Sequence, residues 1–140
     1  MKLDYEKDMY IDHMALDVEW LEQGQVALRY GQYWSTCQDE LTRAEENVKV
    51  VRSELKLEAY EDPESTLGKG IKPTGDAVEA WYRIHPDHIA AKERWMAAKK
   101  AADDAYIAYQ QISGTRKNQL NKLLFFNLLT PPTRLYLSLK

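Results

Sequence analysis

The sequence predicts an all-α protein: a long antiparallel helical hairpin of coiled-coil character, flanked by short helices and oligomeric. Three observations predict it. Apolar residues recur at alternating steps of four and three along Tyr30–Leu55 and again along Ala91–Ile112, the spacing of a coiled-coil seam. No proline interrupts residues 1–62, so nothing in that stretch forces a helix to stop. Five of the eleven glycines and prolines crowd into residues 63–75, a density that neither helix nor strand tolerates. That segment is the loop between two long helices.

Taken in order, the elements make one helical domain over residues 1–140. Residues 1–24 hold a short helix, from Asp12 as N-cap to about Gln23. Residues 25–61 form the first long helix, with the seam Tyr30, Trp34, Cys37, Leu41, Ala44, Val48, Val51 and Leu55. At 44% hydrophobic content, an apolar run of that length in one register arises by chance roughly once in 700 trials. Residues 62–75 are the loop and 76–84 a short helix. The second long helix covers 86–130, with Pro86 suited to its first turn and Asp87 placed to favour its dipole. Its seam is Ala91, Trp95, Ala98, Ala102, Ala105, Tyr109 and Ile112. The alanines admit close backbone approach and complement the bulkier first seam. The apolar phase shifts after Ile112, and Ser113–Gly114 mark a kink near 113–114. Pro131–Pro132 stop the helix, leaving 131–140 as a tail.

Charge is divided unevenly. Residues 1–65 carry net −9, residues 66–104 net +1, and residues 105–140 five bases with no acid. The total of −3 excludes a globally basic nucleic-acid protein but not a local basic surface. A single cysteine excludes an intramolecular disulfide and a cysteine-ligated zinc site. The longest nearly apolar stretch, Leu123–Leu129, is seven residues against the ~20 a bilayer span needs. The opening residues show no signal-peptide core. These features lead us to expect a soluble cytoplasmic protein with no membrane partner.

Catalytic and metal readings find little support. His85-Pro86-Asp87-His88 has two imidazoles and a carboxylate, but His13 is distant in sequence, and helix capping explains the motif better than zinc. Cys37 lies on an apolar seam without a basic neighbour and reads as a small buried hydrophobe. Gly68-Lys69-Gly70 lacks the rest of a phosphate loop. Asp39, Glu40, Glu45 and Glu46 sit on the polar face of a helix. We therefore expect no enzyme, no metal and no cofactor.

The bases carry more information. Lys49, Arg52 and Lys56 form a strip at steps of three and four beside the first seam. The second helix adds Lys92, Lys99, Lys100, Arg116, Lys117 and Lys122, with no acid after Asp104. Unbalanced cations suit an anionic partner. Tyr60, with Tyr82, Tyr106 and Tyr109, offers rings for unpaired bases. The nucleic-acid-binding candidates are Lys49, Arg52, Lys56, Tyr60, Lys99, Lys100, Arg116, Lys117 and Lys122. Leu120, Leu123, Leu124, Phe125, Phe126, Leu128 and Leu129 are more apolar groups than one helix beside an alanine seam buries. They form the expected oligomerisation surface.

Several segments resemble the UvsY family of tailed-phage recombination mediators. Met9-Tyr10-Ile11-Asp12 followed by Leu16-Asp17-Val18-Glu19 is similar to the family's start. Leu55-Lys56-Leu57-Glu58-Ala59-Tyr60 stands where the family has a basic-Leu-acid-x-aromatic segment linked to single-strand binding. Lys72-Pro73-Thr74, Ala77-Val78-Glu79-Ala80 and His85-Pro86-Asp87 are similar to its short helix and Pro step, and Arg116, Leu120 and Leu124 to the close of its alanine-rich helix. Two features depart from the family: Glu54 precedes Lys56, and the tail from Leu123 is longer and more apolar. The resemblance implies a non-enzymatic protein that binds single-stranded DNA. It would work with single-strand-binding protein, help load a RecA-like recombinase, and form a ring-shaped homo-oligomer, a heptamer in the family's pattern. If phage-encoded, it would act in the host cytoplasm. The competing reading is a coiled-coil scaffold or virion assembly protein without DNA-binding activity. It needs the seams and the apolar end of the chain but no salt-sensitive DNA affinity.

Overall fold

Short polar residues begin nearly every helix. In the computed structural model, which describes residues 2–129, Asp4 accepts a hydrogen bond from the Lys7 N–H at 3.2 Å and starts helix α1, Tyr5–Met9. The Asp12 carboxylate accepts from the Met14 N–H at 2.9 Å, turning the chain into α2, Leu16–Glu61. Asp62 accepts from the Ser65 N–H at 3.3 Å to cap the single turn α3, Pro63–Thr66. Thr74 caps α4, Gly75–Arg83, through the Ala77 N–H at 3.2 Å. At the start of α5, Pro86–Gln110, the His85 Nδ1 accepts from the Asp87 N–H at 3.1 Å, the capping role expected of that motif. A π-helical segment, Gln111–Arg116, leads into α6, Lys117–Leu129. No strand occurs among the described residues, so the all-α class stands. No described helix is long and apolar enough to cross a membrane. The tail at 131–140 lies outside the described residues.

Between α3 and α4, Gly68 and Gly70 have φ of 116° and 81°. Side-chain-bearing residues rarely adopt that left-handed backbone, which explains the glycines in this loop.

Three boundaries differ from the sequence-based expectation. The break expected between a short helix ending at Gln23 and a long one starting at 25 is absent: α2 runs through Gly24 and Gly31. Leu16, Gln23, Val26 and Tyr30 are all buried and extend the seam's strip toward the N-terminus. A polar residue at position 23 hides that extension from a hydrophobicity pattern. Helices α1 and α3 were not anticipated, and α3, Pro63–Thr66, lies inside the segment expected to be loop, where Asp62 caps it and Pro63 suits its first turn. Third, the kink expected near Ser113–Gly114 is a π-helical widening. Ile112, Arg116 and Leu120 are all buried at two successive steps of four. That spacing overshoots an α-helical repeat, and the wider π turn takes up the excess.

The sequence reads as one domain, whereas the contacts divide into two compact units. Unit 1 comprises the described residues of Met1–Ser35 and Asp104–Lys140, unit 2 Thr36–Asp103; α2 and α5 contribute to both. In unit 1, Ile11, Leu16 and Leu120 form one cluster with Leu123 and Leu124 packed against it. Val26, Tyr30 and Ile112 form another, joined by Leu3, Met9, Ala27, Ala108 and Tyr109. The Trp34 ring stacks on Tyr109 at 5.6 Å between centroids and tilts against Tyr106 at 4.8 Å. The Tyr30 hydroxyl donates to the Asp8 carboxylate at 2.8 Å. Burial and that carboxylate push its pKa well above the ordinary phenol range. In unit 2, Leu55, Ala59, Val78 and Tyr82 close a core between α2 and α4, with Val51, Leu67 and Trp81 around it. Every residue of both predicted seams is buried or half-buried.

The two glycines inside α2 differ in surroundings. A Cβ at Gly24 would meet nothing within 4 Å, whereas one at Gly31 would sit 3.3 Å from the Tyr109 ring. Gly24→Ala is therefore expected to stabilise the protein by about 0.5–1 kcal/mol through helix propensity. Gly31→Ala should forfeit that gain, because Tyr109 is held by its stack on Trp34. Thermal denaturation of the two variants checks the contrast; equal gains would contradict it.

Candidate nucleic-acid interface

Unit 2 gathers cations onto aromatic rings. The seam residues of α2 are turned inward, so Arg52 and Lys56, one and five positions after Val51, flank the buried edge of that helix. Their charged groups both lie 5.7 Å from the centroid of Tyr82, which the amphipathic helix α4 delivers to the same place. From α5, Lys92 and Lys99 stand one turn before and after Trp95, with ammonium nitrogens 4.9 and 5.9 Å from its ring centroid. Each contact is a cation–π arrangement.

Two depressions follow from this packing. A groove of about 540 Å³ is lined by Arg52, Glu79, Tyr82, Arg83, His88, Ile89, Lys92, Glu93 and Met96. A smaller cleft of about 190 Å³ lies among Glu45, Val48, Lys49, Arg52, Lys92 and Trp95. Arg52 and Lys92 line both. His88 forms part of the groove wall, its ring edge-on to Tyr82 at 5.3 Å. Burial, then Arg52, Lys92 and Arg83, push the His88 pKa below the usual imidazole value. Arg83 is engaged with Glu79 at 2.7 Å.

The sequence-predicted residues divide accordingly. Arg52 and Lys56 meet at Tyr82, and Lys99 meets Trp95. Lys49 lines the smaller cleft and pairs with Glu46 at 3.0 Å, a hydrogen bond that raises its pKa. Tyr60 and Lys100 are exposed in unit 2, Lys117 and Lys122 in unit 1. Arg116 needs correction: only 3% exposed, it is a core residue and not a surface cation. Its guanidinium donates to the Asp8 carbonyl at 2.7 Å, to the Tyr10 carbonyl at 3.2 Å, and to the Gln23 and Glu19 side chains. Buried among these four acceptors, the guanidinium is not presented to a phosphate at the surface.

The proposed oligomerisation surface is corrected in the same way. Leu120 is fully buried, and Leu123 and Leu124 pack on its cluster within the chain. Only Phe125, Phe126, Leu128 and Leu129 of that set stay exposed.

Sequence reasoning missed Tyr82's central place, His88, Arg83 and Trp95, and left Lys92 out of the binding set. A signal was present. His88, Lys92, Trp95 and Lys99 follow one another at steps of four, three and four, a strip that shares Trp95 with the alanine seam. Comparison with known protein families, with curated proteins and with solved structures finds no match for this chain.

Proposed function

We propose that the chain is a non-enzymatic accessory protein that binds single-stranded DNA without reading its sequence. In this reading it helps load a RecA-like recombinase onto a strand that single-strand-binding protein also occupies. The observation that carries the reading is the pairing of cations with rings in unit 2: Arg52 and Lys56 on Tyr82, Lys92 and Lys99 on Trp95. A single strand presents alternating phosphates and unstacked bases. Surfaces that bind it without sequence preference combine basic groups with aromatic faces. The functional form in this reading is an antiparallel hairpin assembled into a ring-shaped homo-oligomer. Phe125, Leu128 and Leu129, exposed at the end of α6, support association. Few phosphates are met per protomer, so repetition along one strand supplies affinity through effective concentration.

The test is a titration of the protein with a labelled oligonucleotide at several salt concentrations. Log affinity should fall linearly with log salt, by about 0.7 per phosphate engaged on a single strand. A binding isotherm indifferent to salt, or no binding, would overturn the reading. The same apolar end of α6 favours a second one, a scaffold that assembles without DNA. That reading predicts a defined oligomer in sedimentation together with a flat oligonucleotide titration.

A further inference from the structure

We propose that the groove on unit 2 seats one phosphate group between Arg52, His88 and Lys92, and that occupancy couples to protonation of His88. The proposal deepens the single-strand reading and rests on it for the source of the phosphate.

Three observations carry it. The groove, at about 540 Å³, falls in the size range of small-molecule sites and has both surfaces a nucleotide needs. Tyr82, Ile89 and Met96 give an apolar side, and Arg52 and Lys92 a cationic one. Second, the charges around His88 do not balance. From α2 it faces Arg52, with Lys56 beyond on the Tyr82 ring; from α5, Lys92 and Glu93. From α4 come Arg83 and Glu79, which neutralise each other. Arg52, Lys92 and Lys56 are left against Glu93 and, from the smaller cleft that Arg52 and Lys92 also line, Glu45; one cation stays in excess, and an anion completes the set. Third, His88 is only 5% exposed, yet its Nδ1 and the neighbouring Arg52 Nε are both buried without a hydrogen-bond partner. Buried polar groups ordinarily find partners. Two orphans beside one groove mark a place where a ligand's arrival rearranges the donors.

The linkage follows in sign. In the free protein, burial and the surrounding cations push the His88 pKa below its usual value, which favours the neutral ring. A phosphate in the groove places negative charge beside the ring and raises that pKa. Binding then takes up a proton, and affinity rises as pH falls through the window between the bound-state and free-state values. Arginine and lysine contacts alone give no such dependence near neutral pH.

The experiment uses the intact wild-type protein. Nuclear magnetic resonance follows the His88 ring through a pH series with no addition, with inorganic phosphate, and with a thymidine oligonucleotide. The oligonucleotide affinity is measured over the same range for wild type and His88→Gln. The expected result is an upward shift of the His88 pKa on oligonucleotide binding. For each protomer engaged on the strand, wild-type affinity should climb by at most about tenfold per pH unit, and His88→Gln should show no such climb. Because the ring titration needs no variant, a folding defect in His88→Gln leaves the test intact. An oligonucleotide that binds with the His88 pKa unmoved would overturn the groove proposal and leave the strand reading standing. Inorganic phosphate that raises the pKa, with no oligonucleotide binding, would keep the site as a free-phosphate site and overturn the strand reading.

Discussion

Replacing Arg116 with Met is expected to cost about 3–5 kcal/mol of folding stability, the range seen when one partner of a buried ion pair is removed. The substitution keeps most of the side-chain volume and deletes the guanidinium. Four acceptors lose their donor together: the Asp8 and Tyr10 carbonyls, the Gln23 amide oxygen and the Glu19 carboxylate. Glu19 retains some solvent, its side chain being 16% exposed, so the carboxylate accounts for only part of the loss. The two carbonyls belong to the backbone at the end of α1, Asp8 within it and Tyr10 as its C-cap, so they cannot swing to new partners as a side chain can. Urea denaturation should show a lower midpoint with an unchanged slope. Lys117→Met, one residue on and exposed, should stay within about 0.5 kcal/mol of wild type. An Arg116 variant as stable as the Lys117 variant would mean that the network contributes nothing.

The double substitution Arg52→Ala with Lys56→Ala is expected to flatten the dependence of oligonucleotide affinity on salt. Each lost phosphate contact removes about 0.7 from the log–log slope, so two remove about 1.4 for every protomer engaged on the strand. Both side chains converge on Tyr82, a core residue only 6% exposed, so the loss is expected in the ionic share of affinity. Assembly size in sedimentation should be unchanged, since neither residue belongs to the apolar end of α6. An unaltered slope would move the phosphate contacts to Lys99, Lys100, Lys117 and Lys122.

The parts of the fold that could be read from the sequence are those set by apolar periodicity and by proline and glycine. Tyr30–Leu55 and Ala91–Ile112 turned inward at every predicted position, because a repeat sustained over that length has one face. The loop glycines were equally legible, since left-handed backbone leaves few alternatives at Gly68 and Gly70. Polar residues doing core work were not legible. Gln23 continues the strip of α2 and donates to the Ile112 carbonyl at 2.8 Å, a partner 89 residues away. Arg116 looked like part of a basic surface because its partners lie 93 to 108 residues earlier. The candidate interface was half legible. Spacing found the cations of α2, but the ring they meet comes from α4, and only tertiary packing brings Tyr82 under Arg52 and Lys56.

The π-helical segment at Gln111–Arg116 amounts to a stored residue. Its backbone holds one more residue than an α-helical turn requires, so the chain length between Ile112 and Leu120 exceeds what a continuous ladder would use. Ser113 supports the bulge by donating its hydroxyl to the Tyr109 carbonyl at 2.7 Å, and Gln23 occupies the Ile112 carbonyl. Remove one residue here and the α-helical ladder runs through without interruption. All that follows is then turned by about 100° and drawn back by about 1.5 Å. Leu120 leaves Ile11 and Leu16, and Phe125 and Leu128 point elsewhere. The aim of α6 is thus set by arithmetic: this fold tolerates a changed side chain at Gly114, where a Cβ would meet nothing within 4 Å, far better than a missing one.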